Sequence, residues 1–534
     1  MEPECYPSSI MPHSSRLFLD YTERAEPLAP FYSTAASGKG WISQGRRLSA
    51  EHRAQLADLL AAQNATFGGG ELTTRNIDRL RHGASAVVTG QQVTLFGGPL
   101  YTLLKAATAI ARAREATEAG FNTVPIFWLA SEDHDFAEIA HVDLPAHDGL
   151  KSVAIGPAPE EPVPVGGILP GPAIEAALAE LESILGSSEI TASLREFYRP
   201  ESTLAEAFGS FISRLFAPWG LIVIDPASRE FHALGAQVLG YAIREADALH
   251  AALVDRDNLL AARGYHAQVK VTEQSSLLFL IEEKTGARLP LRRVRADGGL
   301  QWKAGGERYT EQELLRVLKV TPERCSPNAL LRPVFQDALL PTSAYVAGPA
   351  EIAYFAQSEV LYRAILGRAT AVLPRLSATL VEAKIAAVME RHEVHLADAL
   401  TSADALAQRL AARAMPVEGK RKLAAAGNSL DGDLTAVTEW MAQMDAGLGR
   451  SATTAASKMR YQMNRLRRLA ARYQLEKETS LARHAQAITQ ALYPDGHLQE
   501  RVVAGIYFLA TDGLLETLVE AAKDGCPGHK LLPL

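Results

Sequence analysis

The sequence has few cysteines, little net charge and no long apolar run. Its 534 residues include only three cysteines, Cys5, Cys325 and Cys526, and carry a formal charge of −7. The cysteines form no Cys-x-x-Cys pair and no zinc spacing, so we expect no zinc and a reducing, cytoplasmic compartment. No window could cross a bilayer, and the first residues do not resemble a signal peptide. The modest charge does not indicate a nucleic acid or an acidic membrane as partner.

Two common nucleotide-binding signatures, G-x-G-x-x-G and G-K-[ST], do not describe the region of most interest. Residues 85–136 instead read as a strand, a loop, a helix and a second strand. The apolar runs 84–89 and 123–130 predict strands buried on both faces of a parallel sheet. Pro99 predicts the start of the helix between them, because proline suits the first helical position.

Polar and glycine residues follow the first of these strands. In open parallel sheets, ligands bind beyond the carboxyl ends of the strands. Glycine lets a ligand approach the backbone, and the N–H groups at a helix start near Pro99 favour a phosphate or a carboxylate. A purely structural turn explains the glycines equally well. The candidate binding residues in this segment are Thr89, Gly90, Gln91, Gln92, Gly97 and Gly98.

Four polar residues, Glu132, Asp133, His134 and Asp135, follow the second strand. They cannot all lie in a core, because unpaired buried charge is costly. A solvated loop is the ordinary interpretation of an acidic run, but the position at a strand end favours a site. We interpret His134 as an acid/base group, and the three carboxylates as ligands of an amine or of Mg²⁺.

The same arrangement recurs later in the chain. Residues 343–348 predict a short strand, and Gly348 with the following proline predicts another helix start facing the same crevice. Glu351 lies in the first turn of that helix, where it also complements the helix dipole. Arg332 is a candidate clamp for a carboxylate or a phosphate, because guanidinium groups bind both bidentately. Asn328 lies four residues before it and completes the candidate set.

The length exceeds what one hydrophobic core usually spans, so we expect several domains. The core is predicted over 1–375, with insertions near 145–215 and 255–325. A helical domain is predicted over 376–490, and residues 491–534 are predicted to pack back on the core as short helices.

Local patterns give further expectations. Proline and glycine over 145–172 predict an irregular insertion. Alternating residues at 266–272 and 277–283, and a glycine turn between Arg295 and Leu300, predict antiparallel hairpins. Another buried parallel strand is predicted over 221–225. Helices are predicted over 172–184, 202–216 and 309–318.

Beyond Pro374 the apolar residues recur in alternating steps of four and three. Three such seams, 385–410, 430–448 and 459–473, predict antiparallel helices of a coiled-coil arm that dimerises. His392 and His395 on the first seam suit polar register positions better than ligands. The arginine-rich flank of the third seam suits a solvated surface better than a nucleic-acid site.

Several long motifs together resemble one known family. Thr-Gly-Gln-Gln-x-x-Leu-Phe-Gly-Gly-Pro-Leu-Tyr at 89–101 and Trp-Leu-Ala-Ser-Glu-Asp-His-Asp-Phe at 128–136 are similar to motifs of the bacillithiol-biosynthesis cysteine-adding enzymes, the BshC family of cysteine ligases. The resemblance covers essentially the whole chain, through further motifs at 12–21, 326–333 and 345–357.

This resemblance implies an α/β fold with a Rossmann-like parallel-sheet core, inserted connecting modules and an α-helical coiled-coil domain that forms a homodimer. It implies a nucleotide-dependent ligase that activates the carboxyl group of L-cysteine and joins it to the amino group of glucosaminyl malate, in the last step of bacillithiol synthesis. ATP is the expected nucleotide, with Mg²⁺ as a candidate companion.

Position then suggests roles for the candidate residues. The 90–98 loop would hold phosphates or an acidic substrate group, and Asn328 and Arg332 would orient the malate carboxylates. Two other function classes stay open at this point. One is a nucleotidyltransferase with the same core and a different acceptor, and the other is a non-catalytic coiled-coil scaffold.

Overall fold

The computed structural model of the chain contains two compact units. The first, here called the sheet unit, consists of Glu4–Thr379 and Glu500–Leu531. The second, the helical unit, consists of Leu380–Gln499 with Met1–Pro3 and Leu532–Leu534. The structure describes residues 2–23, 26–34, 38–146, 149–296, 299–523 and 525–534.

The described residues include the strands of the parallel sheet and those of several smaller sheets. Within the described residues they are β1 Glu4–Tyr6, β2 Ser85–Gln91, β3 Thr123–Leu129, β4 His141–Ala146, β5 Gly149–Ala154, β6 Ile222–Ile224, β7 Leu278–Ile281, β8 Arg288–Pro290, β9 Arg292–Ala296, β10 Gly299–Ala304, β11 Glu307–Tyr309, β12 Cys325–Pro327, β13 Thr342–Ala347, β14 Ala371–Pro374, β15 Ser377–Val381 and β16 His529–Pro533.

Both units contain helices. In the described ranges they are α1 Arg16–Thr22, α2 Ala50–Thr66, α3 Glu71–Arg81, α4 Tyr101–Glu118, α5 Phe136–Ile139, α6 Ala173–Leu185, α7 Glu189–Phe197, α8 Leu204–Phe216, α9 Arg229–Arg244, α10 Ala246–Ala262, α11 Glu311–Val320, α12 Arg332–Leu339, α13 Pro349–Leu366, α14 Ala383–Arg391, α15 Leu396–Ala399, α16 Ala403–Ala414, α17 Val417–Met444, α18 Ala446–Lys477, α19 Thr479–Leu492, α20 Gln499–Val502, α21 Gly505–Phe508 and α22 Leu514–Lys523.

A five-stranded parallel sheet forms the centre of the sheet unit, in the order β14-β13-β2-β3-β6. β3 and β6 lie on one side of β2, and β13 and β14, which come later in the chain, lie on the other side. The strand order therefore reverses between β2 and β13. In open α/β sheets such a switch point opens a crevice at the carboxyl ends of the strands.

The apolar runs that predicted these strands are buried, as the sequence indicated. Every residue of β3 is buried, and α4 covers one face of the sheet with a largely buried surface of its own. On the other face, Trp128 packs edge-on against Phe335 with the ring centroids 6.4 Å apart. The predicted Rossmann-like parallel sheet and its buried strands are therefore confirmed.

Some local predictions were wrong. Part of the segment predicted to be irregular forms an antiparallel pair, β4 with β5. Residues 266–272 form no strand, although β7 with β8 and β9 with β10 do form the predicted hairpins. The backbone of Val269 instead exchanges two hydrogen bonds with the side chain of Gln357, of 2.9 and 2.8 Å, which replaces a strand partner. The glycine turn predicted near Gly298 lies partly outside the described residues.

In the helical unit, α17 carries the second predicted seam only as far as Met444, and α18 carries the whole of the third. α17 and α18 have 28 and 32 residues, and Asp445 between them caps α18 by accepting hydrogen bonds from the N–H groups of Gly447 and Leu448. The predicted seam over 385–410 is broken into α14, α15 and α16. Glu393, just after α14, adopts a left-handed φ of 51°. Ser402 caps the start of α16.

The cysteines differ from expectation. Cys5 and Cys526 form a disulfide with their Cα atoms 6.0 Å apart, and Cys325 is free and buried. The pair is 521 residues apart in sequence, and the antiparallel pairing of β1 with β16 brings the two ends together. The cysteine pattern therefore no longer argues for a reducing compartment. No helix of the described chain has the length and apolarity to span a membrane.

A buried polar cluster joins β16 to the edge of the sheet. Arg375 donates two hydrogen bonds to the carboxylate of Glu500, at 3.0 and 2.7 Å. His529 is almost fully buried, with both ring nitrogens 2.8 Å from hydroxyl oxygens of Ser377 and Thr379. Burial lowers the pKa of His529 to about 4, an effect that Arg375 adds to and Glu500 opposes.

His529 predicts acid sensitivity of the fold. Between pH 6.5 and 4 the unfolded chain binds a proton that the folded chain excludes, so stability is complete above pH 6.5 and falls as the pH drops. The shift corresponds to about 3 kcal/mol. Urea unfolding followed by tryptophan fluorescence should show that wild type loses about 3 kcal/mol more than His529→Gln between pH 7 and 4.

The matched control is His141→Gln, since His141 is exposed. Four of the five tryptophans lie in the sheet unit, at 41, 128, 219 and 302, so the fluorescence reports mainly on that unit. The same pH dependence in wild type and His529→Gln would contradict the assignment.

Candidate functional site

A cavity of about 580 Å³ lies in the sheet unit, at the carboxyl ends of β2, β3 and β13. Its position is the switch point of the sheet, and its volume lies within the range usual for small-molecule sites. It is lined by Gly90, Gln91, Gln92, Tyr101, Lys105, Trp128, Ala130, Glu132, Asp133, His134, Glu138, Val269, Phe279, Arg288, Pro327, Asn328, Ala329, Arg332, Tyr345, Gly348, Pro349, Ala350, Glu351, Tyr354, Arg375 and Arg501.

A buried ion pair forms the floor of this cavity. Lys105 on α4 lies 2.6 Å from the carboxylate of Glu351 on α13, and both side chains are largely shielded from water. The same ammonium group donates to the carbonyl oxygen of Gly90 at 2.8 Å and to the Gln91 side chain at 3.1 Å. One lysine therefore connects the end of β2 to the first turn of α13.

Glu351 is held in its ionised form by several donors. The N–H of Gly348 and the hydroxyl of Tyr345 each donate to its carboxylate at 2.7 Å. Burial alone would raise the pKa of Glu351, but Lys105 and the Gly348 N–H hold it below its usual value. Glu351 therefore has a structural role: it connects Lys105, Tyr345 and the backbone of Gly348.

Gly90 is needed because β2 and β3 approach each other closely at this point. A Cβ atom at Gly90 would lie 2.9 Å from the carbonyl oxygen of Trp128 and 3.5 Å from the hydroxyl of Tyr345. The absence of a side chain thus allows the strands and Tyr345 to pack together, in addition to exposing backbone to the cavity.

His134 is oriented by two neighbours. Arg288 donates from Nη1 to Nδ1 of His134 at 3.1 Å. Because a guanidinium group only donates, Nδ1 must accept, and the proton of the neutral ring lies on Nε2. Asp133 accepts from the backbone N–H of His134 and from the side chain of Gln92, both at 2.7 Å. The loop thus presents His134 Nε2–H as a donor.

Glu132 is paired with a histidine from α9. His232 is fully buried, and its Nε2 lies 2.7 Å from Oε1 of Glu132. Burial lowers the pKa of His232, but the carboxylate of Glu132 outweighs this effect and the pKa is raised. The described chain provides no hydrogen bond to the second carboxylate oxygen of Glu132, which leaves it for a ligand.

Arg332 has no carboxylate partner within 4 Å in the described chain. Tyr354 accepts a hydrogen bond from it at 2.7 Å, and the side-chain oxygen of Gln336 accepts another at 3.3 Å. Arg501 also lines the cavity, is exposed, and forms no ion pair with a described residue. By contrast, Arg375 is fully engaged by Glu500. Arg332 and Arg501 are therefore the cations available to an anionic ligand.

The structure brings ten of the fourteen predicted site residues to this cavity. Four do not line it: Thr89, Gly97, Gly98 and Asp135. Thr89 is buried and donates to the carbonyl of Val346 at 2.9 Å. Asp135 caps α5 by accepting from the N–H of Glu138 at 3.2 Å. The ten that line it are Gly90, Gln91, Gln92, Glu132, Asp133, His134, Asn328, Arg332, Gly348 and Glu351.

The glycine loop before α4 is closed by its own hydrogen bonds. Gly97 and Gly98 donate their N–H groups to the carbonyls of Thr94 and Leu95, at 3.2 and 3.0 Å. The N–H of Leu100 donates to Val503 at 2.9 Å, and α4 begins only at Tyr101. These three amides are therefore already used and do not form the anion-binding loop that the sequence predicted.

Asn328 has a structural task as well. Its side-chain oxygen accepts from the N–H groups of Leu330 and Leu331, both at 3.0 Å, and its amide donates to Ser276 at 3.2 Å. These bonds shape the turn that places Arg332 at the start of α12. In the described structure Asn328 positions Arg332.

Sequence patterns did not reveal several residues of the site. Lys105 lies inside an apolar helix pattern, and its charge within a buried stripe was the one signal available. His232 and Arg288 come from elements far away in sequence: Arg288 lines the cavity, and His232 lies behind Glu132, which it contacts. The site residues found only in the structure include Tyr101, Lys105, His232, Arg288, Tyr345, Tyr354, Arg375 and Arg501.

The carboxylates do not form a ready metal site. No group of three or more His, Cys, Asp or Glu residues in the described chain could hold a metal ion. Asp133 and Asp135 are occupied by hydrogen bonds, and Glu132 is paired with His232. A magnesium ion here would have to take most of its ligands from a bound molecule or from water.

Comparison with known proteins agrees with this architecture. Residues 1–376 match the N-terminal Rossmann-like domain of the bacillithiol biosynthesis BshC family, and residues 378–534 match its C-terminal coiled-coil domain. A protein of Koribacter versatilis named "Putative cysteine ligase BshC" is 42% identical over 537 residues, covering 100% of both chains.

Two further relatives carry the same name. The protein of Solibacter usitatus is 34% identical and covers 100% of both chains. That of Salinibacter ruber is 31% identical and covers 97% of this chain and 96% of its own. With both domain matches and relatives above 30% identity along its length, this chain belongs to the BshC family of bacillithiol-biosynthesis cysteine ligases.

Proposed function

We propose that this chain forms an amide bond between the carboxyl group of L-cysteine and the amino group of glucosaminyl malate, with ATP as the activating nucleotide, as the last step of bacillithiol synthesis. The observation that carries the proposal is the single cavity at the switch point. It combines an oriented histidine, a carboxylate with a free oxygen and two unpaired cations.

The residues suit the two halves of an amide-forming reaction. ATP supplies the leaving group that makes the cysteine carboxyl reactive. Glu132, through its free oxygen, accepts the proton that the attacking amino group loses. His134 donates from Nε2 to the oxygen that gains negative charge. Both groups are held by buried neighbours, which lowers the reorganisation needed during the reaction.

The unpaired cations suit the anionic parts of the substrates. Arg332 lies in the cavity wall and is held by neutral groups, so its charge is available to a malate carboxylate. Arg501 is exposed at the same cavity and can meet a second carboxylate or a phosphate. We place the reaction in the cytoplasm, where ATP is supplied.

The helical unit supports a homodimer. Large apolar side chains on α17 and α18 remain exposed in the chain alone, including Trp440 at 58% and Leu466 at 55%. An apolar stripe along paired helices of this length needs a covering surface. A second copy offers the same stripe, so a symmetric contact through α17 and α18 is self-complementary.

Product formation tests the reaction. Purified protein incubated with ATP, Mg²⁺, cysteine and glucosaminyl malate should give the cysteinyl amide, detected by mass spectrometry together with AMP or ADP. A folded sample that forms no amide would remove the ligase assignment. ATP–pyrophosphate exchange that needs no cysteine would instead favour a nucleotidyltransferase with another acceptor.

His134→Ala is the site variant for this assay. Loss of the Nε2 donor should reduce kcat by about 10²-fold or more, as is typical for general acid–base groups. Thermal unfolding should be nearly unchanged, because His134 is partly exposed. A non-catalytic scaffold would show no biochemical loss in this variant.

Arg332→Gln should raise KM for glucosaminyl malate. A charged hydrogen bond contributes roughly 1.5–3 kcal/mol, so we expect KM to rise about 10- to 100-fold with a smaller change in kcat. Steady-state kinetics at varied glucosaminyl malate measures this effect. Arg363→Gln on the exposed side of α13 is the matched control. An unchanged KM in folded Arg332→Gln would contradict the assignment.

Leu466→Glu should convert the dimer to a monomer. A charge placed in the apolar stripe would have to be buried without a partner, which costs several kcal/mol. Size-exclusion chromatography with light scattering gives the mass directly. Gln462→Glu introduces the same charge at a polar exposed position of α18 and should leave the dimer intact. Monomeric wild type would rule out the dimer.

A further inference from the structure

A second cavity of about 340 Å³ lies beside the first within the sheet unit. We call it the annex. It lies between helices α9 and α10, the loop that follows Val269, and the β8–β9 edge. Val269, Phe279 and Asn328 line both cavities, so the annex and the main cavity share a wall. A ligand in the annex would therefore lie directly beside the site of the proposed reaction.

Apolar side chains form about half of the lining of the annex. Alanines on α9 and α10 and leucines from neighbouring segments contribute most of them. This apolar part of the lining favours a ligand part without charge. The apolar side chains that line it are Ala242, Ala246, Leu253, Val269, Val271, Leu277, Leu278, Phe279, Leu291 and Leu330.

One buried N–H group in this wall, the Nε–H of Arg293, lacks an acceptor. Arg293 is only 9% exposed; its guanidinium donates to Asp247 and, at 3.2 Å, to the carbonyl of Glu273. Its Nε atom is shielded from water and makes no hydrogen bond to any described residue. A buried donor without an acceptor is unfavourable, so a ligand that brings an acceptor would be favoured.

Two cations lie at the edge of the annex. Lys270 and Arg292 line it, are exposed, and form no ion pair with any residue that the structure describes. Arg292 is the register partner of Lys303 on β10. The annex thus combines apolar side chains with one buried donor and two rim cations, which suits an anion that also has a flat, uncharged ring.

We propose that the annex binds the purine base of ATP, with Lys270 and Arg292 at its rim meeting the phosphates. The inference rests on the proposed function, which requires three substrates together. Of these, cysteine and glucosaminyl malate are polar throughout, and only the nucleotide has a planar ring with acceptor nitrogens. The volume of the main cavity is usual for one small ligand, whereas the reaction needs three substrates. We therefore place the base of ATP in the adjoining annex.

Filling the annex tests the inference by binding. Ala246→Phe, with Ala242→Leu as a second variant, adds side-chain volume where the base would lie. Isothermal titration calorimetry should show ATP binding weakened about tenfold or more, with cysteine binding unchanged. Inorganic tripolyphosphate has no base, so its affinity for the filled variants should equal that for wild type. Circular dichroism identifies any variant that does not fold.

Removing one rim cation gives a second measurement, in which the interior of the annex keeps its side chains. Arg292→Gln should weaken ATP and tripolyphosphate about equally, by several-fold. Lys303→Gln removes the same charge from the partner strand, outside the annex, and should change neither. This pair separates the local contact from a general loss of positive charge.

The outcomes separate the two proposals. If wild type forms the amide and binds ATP but the folded filled variants bind ATP normally, the annex assignment is wrong and the proposed function stands. If filling weakens cysteine binding instead of ATP binding, the annex holds a different substrate and the assignment is also wrong. If wild type neither binds ATP nor forms product, the nucleotide-dependent reaction itself is overturned.

Discussion

The buried ion pair between Lys105 and Glu351 is the contact on which the site depends. Lys105 belongs to the helix that follows β2, and Glu351 belongs to the helix that follows β13. Each βα unit thus supplies one charge, and neither charge could remain buried without the other. Breaking such a pair usually costs 3–5 kcal/mol, so the two halves of the crevice are held at one spacing. The cavity between them is a product of that constraint.

Much of the fold was readable from the sequence because buried parallel strands leave a strong signal. The runs that became β2, β3, β6 and β13 are short, apolar and end at glycine or polar residues. Periodicity failed where a local contact overrode it. Residues 266–272 alternate like a strand, but Gln357 satisfies the backbone there, and the seam over 385–410 contains the left-handed turn at Glu393.

The site was readable at the strand ends and hidden elsewhere. Glu132 and His134 follow a strand directly, so their approach to one cavity follows from the sheet alone. Their partners His232 and Arg288 lie on a later helix and a hairpin, and no local pattern encodes a contact across 100 or 154 residues. The glycines at 97 and 98 have an anion-loop pattern, yet the backbone uses their N–H groups within the turn.

The bond between Cys5 and Cys526 gives the molecule a topological property. Because the linked cysteines are 521 positions apart, most of the described polypeptide lies within one covalent ring. A single backbone cleavage inside that ring would yield two fragments that stay tethered, and new ends opened in a surface loop would leave the strand pairing of β1 with β16 crosslinked. The segments that carry Cys5 and Cys526 are therefore held together as firmly as two parts of one internal connection.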